Sequence, residues 1–204
     1  RRPKTIPDVG GWNLYRRAVI VPGSPLNLGL IGAGRWGKVY IRTIAGLEGI
    51  QLAHLASGKP DSKSLVGSDC KVSTDWQGLI ANKSVSGVII ATPPQHHAEM
   101  ACAALDAGMA VLVEKPMTLD VGEAEEIHQR AIANDGFVLV EHTHLFRPAY
   151  RLIKDRISTL GPVRGVWSSV GDRGPYRRNT SVLWDWGSHE VALALGFMER
   201  SPLS

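Results

Sequence analysis

The chain has 204 residues, 44% hydrophobic and 21% charged, a balance that excludes a disordered or fibrous protein and allows one full domain with part of a second. Its net charge of +4 resides in residues 1–25, where Arg1, Arg2, Lys4, Arg16 and Arg17 face Asp8 alone, and the neutral remainder argues against a nucleic-acid partner. No apolar run approaches the roughly 20 residues of a membrane helix. The two cysteines, Cys70 and Cys102, offer neither a disulfide framework nor metal-ligand spacing, so a soluble protein of the reducing cytoplasm is expected.

Residues 1–25 are broken by Pro3, Pro7, Gly10, Gly11, Pro22 and Pro25 and read as a basic linker or arm. The paired arginines at its start lack the apolar segment that an export signal would place after them. From Leu26 onward, short apolar runs alternate with amphipathic segments of helix length. Strands are expected at 26–31, 51–56, 87–92, 110–113 and 137–140, with a weaker one at 71–73, and helices at about 36–46, 75–82, 96–107 and 119–133. Nearly continuous apolar strands, each followed by a crossover helix, predict an α/β fold with a doubly wound parallel sheet over residues 26–144. After residue 144 the pattern changes. RPAYRLIKDRI predicts a helix, VRGVWSSV alternates as a strand, GDRGPYRRNT is a polar loop, and SVLWDWGSHEVALALGF predicts a last helix. Residues 145–204 therefore read as an incomplete α+β domain for substrate binding and oligomerisation.

The stretch LNLGLIGAGRWGKVY sets Gly32, Gly34 and Gly37 directly after a strand and at the start of a helix. The first glycine permits the tight turn, the second lets a pyrophosphate approach the backbone, and the third lets helix pack closely on strand. The helix N-terminus then presents free N–H groups to the phosphates, with Arg35 and Trp36 in the same turn counted among the cofactor-binding residues. This is the Rossmann fingerprint. The second strand runs into Ser57, Gly58 and Lys59, with no carboxylate until Asp61. A carboxylate at the strand end would repel a 2′-phosphate, whereas a hydroxyl, a small residue and a cation accept one, so NADP is expected in preference to NAD; Asp61 could still fold back onto the ribose of NAD.

GVIIATPPQHHAEMACAALDAGMAVLVEKPMTLDVGEAEEI carries two further residue groups in order, Thr92, Pro93 and His97 in a Thr-Pro turn and then Glu114, Lys115 and Pro116 at a strand end, of which Thr92, Pro93, His97, Glu114 and Lys115 are counted among the expected cofactor-binding residues. With Asp185 and His189 four residues apart in the last helix, these resemble the signatures of the glucose-fructose oxidoreductase, inositol dehydrogenase and MocA family (Gfo/Idh/MocA) over about residues 27–196. The tryptophan of GAGRWGK and the tract VEHTHLFRPAY are similar to a shorter branch acting on sugar nucleotides, although Leu145 and Pro94 depart from that pattern. The resemblance implies a nicotinamide-dependent oxidoreductase, a small sugar-type substrate, and a homo-oligomer paired through an antiparallel sheet. The chain ends at Ser204, before such a sheet could follow the last motif.

Hydride transfer from an alcohol needs a base for the hydroxyl proton and a positive group for the developing alkoxide. Lys115 could supply the charge, with Glu114 orienting it. His189, whose ordinary pKa of about 6.5 lies near working pH, is the natural proton carrier. Asp185, at i and i+4 with it on one helical face, could orient the imidazole or bind a sugar hydroxyl. The resemblance implies these same roles for Lys115, Asp185 and His189. His142 and His144 are candidates for lining the substrate cleft, and Tyr176 and Arg177 for meeting a phosphate or carboxylate on the substrate. His96, His97, His142, His144, Asp185 and His189 lack the spacing of a zinc site, so no metal is expected. The competing expectation is a non-catalytic NADP-binding or regulatory protein.

Overall fold

The computed structural model describes residues 25–171 and 180–199. Residues 1–24 of the arm expected over 1–25, and residues 172–179, with Tyr176 and Arg177, lie outside the described residues. Six parallel strands form one sheet in the order β3-β2-β1-β4-β5-β6. They are β1 Leu26–Ile31, β2 Ile50–Ala56, β3 Lys71–Ser73, β4 Gly87–Ile90, β5 Ala110–Glu114 and β6 Val138–Glu141. Between them run α1 Arg35–Ala45, the short α2 Trp76–Ile80, α3 His97–Asp106 and α4 Val121–Ala133.

The two faces of the sheet bury separate cores, as expected where strands alternate their side chains between helix layers. One face packs Val88, Ile90, Val111 and Val113 against Met100, Ala101, Ala104 and Leu105 of α3 and Ile127 and Ala131 of α4. The other packs Leu30, Leu55 and Ile89 with Ile44, and with the partly buried Tyr40 and Ile41 of α1. Asp75 caps α2 by accepting from the Gly78 N–H at 2.9 Å, and Asp120 caps α4 by accepting from the Glu123 N–H at 3.2 Å. Across α3 and α4, Arg130 pairs with Asp106 and, at 2.8 Å, with Glu126.

Strand order reverses at β1, with β2 on one side and β4 on the other. Because every strand is parallel, the turns after Ile31, Ala56 and Ile90 and the last residues of β5 and β6 all emerge on the same edge of the sheet. This edge is where the expected cofactor residues gather.

The chain divides into two units at Glu141/His142. In the second, α5 Pro148–Leu160 starts with proline at its first turn and stops at Gly161, whose φ of 102° suits glycine. A π-helical turn, Leu183–Gly187, leads into α6 Ser188–Met198. Tyr150 and Phe197 hold α5 and α6 together with ring centroids 4.9 Å apart, and Lys154 pairs with Glu199 at 2.9 Å. A side chain at Gly196 would collide with the Tyr150 hydroxyl.

One expected element is corrected. VRGVWSSV has the alternation of a strand but takes no regular structure, and Trp167 within it is 92% exposed. A strand is stable only with a neighbour to satisfy its N–H and C=O groups. Among the described residues of this unit none provides one.

Candidate active site

The glycine turn is built as its spacing requires. Gly32 has φ of +100°, and a Cβ there would lie 2.6 Å from the Ala91 carbonyl oxygen of the neighbouring turn. A Cβ at Gly37 would strike the Gly32 carbonyl, so α1 can seat against β1 only if that position is bare. Gly34 is different: a Cβ there would meet nothing within 4 Å. It is the N-cap of α1 and supplies no side-chain cap. The start of α1 thus has open space beside Gly34 and no side-chain cap, which fits an anionic pyrophosphate at the positive end of the helix dipole. Arg35 and Trp36 are exposed on that first turn.

After β2, Ser57 is buried and its hydroxyl oxygen accepts from Ser62 at 2.8 Å and from the Lys59 N–H at 3.2 Å. Gly58 and Lys59 are exposed. Asp61 is paired with Lys38 of α1 at 3.4 Å. After β4, the Thr92 hydroxyl donates to Met100 Sδ at 3.7 Å, and Pro93 precedes a single 3₁₀ turn.

His97 takes a place the sequence did not suggest. It is 1% exposed, with Nδ1 3.0 Å from the Pro116 carbonyl oxygen and Nε2 2.9 Å from the Thr92 carbonyl oxygen. Its ring links the Thr-Pro turn to the Glu-Lys-Pro turn. Burial pushes its pKa below the usual histidine value, opposed by the two carbonyls.

Glu114 is 5% exposed and Lys115 9%, at the end of β5. The Lys115–Pro116 peptide is cis. Glu114 Oε1 accepts from the Tyr40 hydroxyl at 2.9 Å. Burial raises the Glu114 pKa to about 7, with Glu141 adding to the rise and the Tyr40 hydrogen bond and Lys115 opposing it. Tyr40 had no expected role. Its only sequence signal is an aromatic residue one turn beyond Gly37, because its partner lies 74 residues away.

In the second unit, His189 is 8% exposed at the start of α6, and Asp185 is half-buried on the π-helical turn. The rings of His144 and His189 stack with centroids 4.3 Å apart and planes inclined by 22°. His142 and His144 flank Thr143 at the exit of β6, both half-buried. This arrangement groups three of the expected imidazoles with Asp185 in one unit. Among the described residues no group of three or more His, Cys, Asp and Glu is placed to hold a metal ion, and no helix is long and apolar enough to cross a membrane.

A parallel doubly wound sheet whose first turn carries three glycines into an uncapped helix start, with a buried lysine at a strand end on the same edge, defines a dinucleotide-binding α/β protein. Residues 26–142, more than half of the chain, match the oxidoreductase family with an NAD-binding Rossmann fold, GFO_IDH_MocA, and the chain belongs to that family. It is 28% identical over 65% of its length to 4-carboxy-2-hydroxymuconate-6-semialdehyde dehydrogenase of Sphingobium sp. (strain NBRC 103272 / SYK-6), covering 43% of that protein. It is 31% identical over 83% of its length to inositol 2-dehydrogenase 2 of Saccharopolyspora erythraea, covering 52%. A crystal structure from Magnetospirillum magnetotacticum MS-1, assigned provisionally to the oxidoreductases, superposes with a TM-score of 0.84 at 50% identity, over 89% of this chain and 59% of that one. The chain spans about half the length of the curated relatives it matches.

Proposed function

We propose that the protein transfers a hydride between NADP, in preference to NAD, and a hydroxyl or keto carbon of a sugar, sugar nucleotide or polyol. The observation that carries this reading is Lys115, buried at the end of β5 on the same sheet edge as the open glycine turn. The nicotinamide, when bound, supplies or accepts the hydride. Lys115 offsets negative charge on the substrate oxygen, and His189 gives or takes the hydroxyl proton, with Asp185 orienting it. His142 and His144 contact the substrate, and Tyr176 and Arg177 meet its anionic group. The likeness to an inositol 2-dehydrogenase supports a polyol-type substrate, and a homo-oligomer is part of the same reading.

The cofactor preference rests on the turn after β2. Ser57 brings a hydroxyl and Lys59 a cation, while the carboxylate of Asp61 is already paired with Lys38. The test is NADPH oxidation against a panel of keto-sugars. Lys115→Ala and His189→Ala are expected to lower turnover at least about 100-fold while NADPH still binds. Wild-type protein that binds NADPH but turns over no member of the panel would favour a non-catalytic cofactor-binding role.

A further inference from the structure

Tyr40 lies on α1 one turn past the third glycine, where the dinucleotide fingerprint asks nothing of it. Its hydroxyl nevertheless crosses to β5 and donates to Glu114 Oε1 at 2.9 Å. Glu114 is buried and is the chain neighbour of Lys115. Glu141 ends β6 directly opposite Glu114 in the sheet register, so a second carboxylate flanks the first. On the other side, β4 opposes Val113 with Ile90 and continues into Ala91, bringing no charge. Among the described residues, the groups facing the Glu114 carboxyl are therefore Tyr40 from α1, Glu141 from β6 and Lys115 next along the chain.

We propose that Tyr40 is a positioning residue of the hydride-transfer site: by donating to Glu114 it holds that carboxylate ionised and in place beside Lys115, tying the phosphate-binding helix to the lysine turn. The assignment rests on the reading of Lys115 as a catalytic residue. Burial together with a second carboxylate at the adjacent strand end drives Glu114 toward the neutral acid, and a neutral Glu114 would remove one negative charge from beside Lys115. A hydrogen bond from Tyr40 works against that neutralisation. Tyr40 itself stays protonated, because burial and Glu114 both push its pKa up. It is thus a permanent donor, not a second titrating group.

The experiment follows the Glu114 carboxyl by NMR in protein labelled with carbon-13 glutamate, with Glu114→Gln identifying its signal. Turnover is measured across pH and NADPH affinity by fluorescence in the same samples. In Tyr40→Phe the Glu114 midpoint is expected to rise by roughly half to one pH unit. Turnover at pH 7 is expected to fall roughly two- to fivefold, with its acid limb moving up alongside the midpoint and NADPH affinity holding within about twofold. In a Glu114→Gln background the limb should vanish, and Tyr40→Phe should no longer alter the pH profile. 3-Fluorotyrosine at position 40, a more acidic donor of nearly the same shape, provides a second variant and should move the midpoint down. The assignment is overturned by a Glu114 midpoint that neither variant moves, or by a moved midpoint with a wild-type pH profile of turnover. Wild-type protein without turnover overturns the reading of the site and this assignment together; normal wild-type turnover with unaltered Tyr40 variants overturns the assignment alone.

Discussion

Buried ionisable side chains around the lysine turn make their stability effects separable by pH. Burial raises Glu114 to about 7, above its ordinary value, so the stability tied to its neutral form is complete below about pH 4.5 and is lost as pH rises through 7. Glu114→Gln, which retains an acceptor for Tyr40, should therefore be more stable than wild type at pH 8, by roughly 1–3 kcal/mol, and nearly equal to it at pH 5. Urea unfolding at the two pH values measures this. His97 runs the other way. Its lowered pKa means that the folded state prefers the neutral ring, so this contribution is present above the ordinary histidine value of about 6.5 and is lost as pH falls below it. His97→Asn should unfold more readily than wild type at pH 8, by roughly 1–3 kcal/mol, through loss of the buried ring and of the one N–H bond that the neutral imidazole donates to either the Thr92 or the Pro116 carbonyl. The difference should narrow toward pH 5, where the buried imidazole of the wild type must take up a proton.

Among the elements, α1 does most to shape the cofactor edge. Its approach to β1 depends on a bare position at 37, because any Cβ there meets the Gly32 carbonyl. Gly37→Ala should push the helix away from the strand, weaken NADPH binding more than about tenfold and lower the thermal midpoint by several degrees; fluorescence titration and thermal melting test this. Such features were legible in the sequence because backbone sterics act locally and leave a glycine as their trace. The parallel strands were equally legible, since burial on both faces makes each an apolar run. Pairings between distant segments were not. Nothing near Tyr40 names Glu114, and nothing near His97 names the Pro116 carbonyl. VRGVWSSV erred in the opposite direction: alternation signals a strand, but only a partner completes one, and Trp167 lies open to solvent.

For the molecule as a whole, both hydrophobic cores draw their residues from before Glu141. Residues 25–141 should fold without the remainder, showing cooperative thermal unfolding, and should bind NADPH within about tenfold of the full chain. Calorimetry and titration of that fragment provide the check. Turnover should be absent from it, because Asp185 and His189 belong to the second unit.

The empty space at Gly34 separates two kinds of recognition in one molecule. Backbone amides that meet a pyrophosphate neither titrate nor depend on which side chains surround them, so hold on the common part of any nicotinamide dinucleotide is insulated from most single substitutions. Ser57, Lys59 and Asp61, by contrast, are ordinary side chains at the turn after β2. A change of preference between the two cofactors therefore lies within a few replacements, and grip on the dinucleotide itself need not be surrendered along the way.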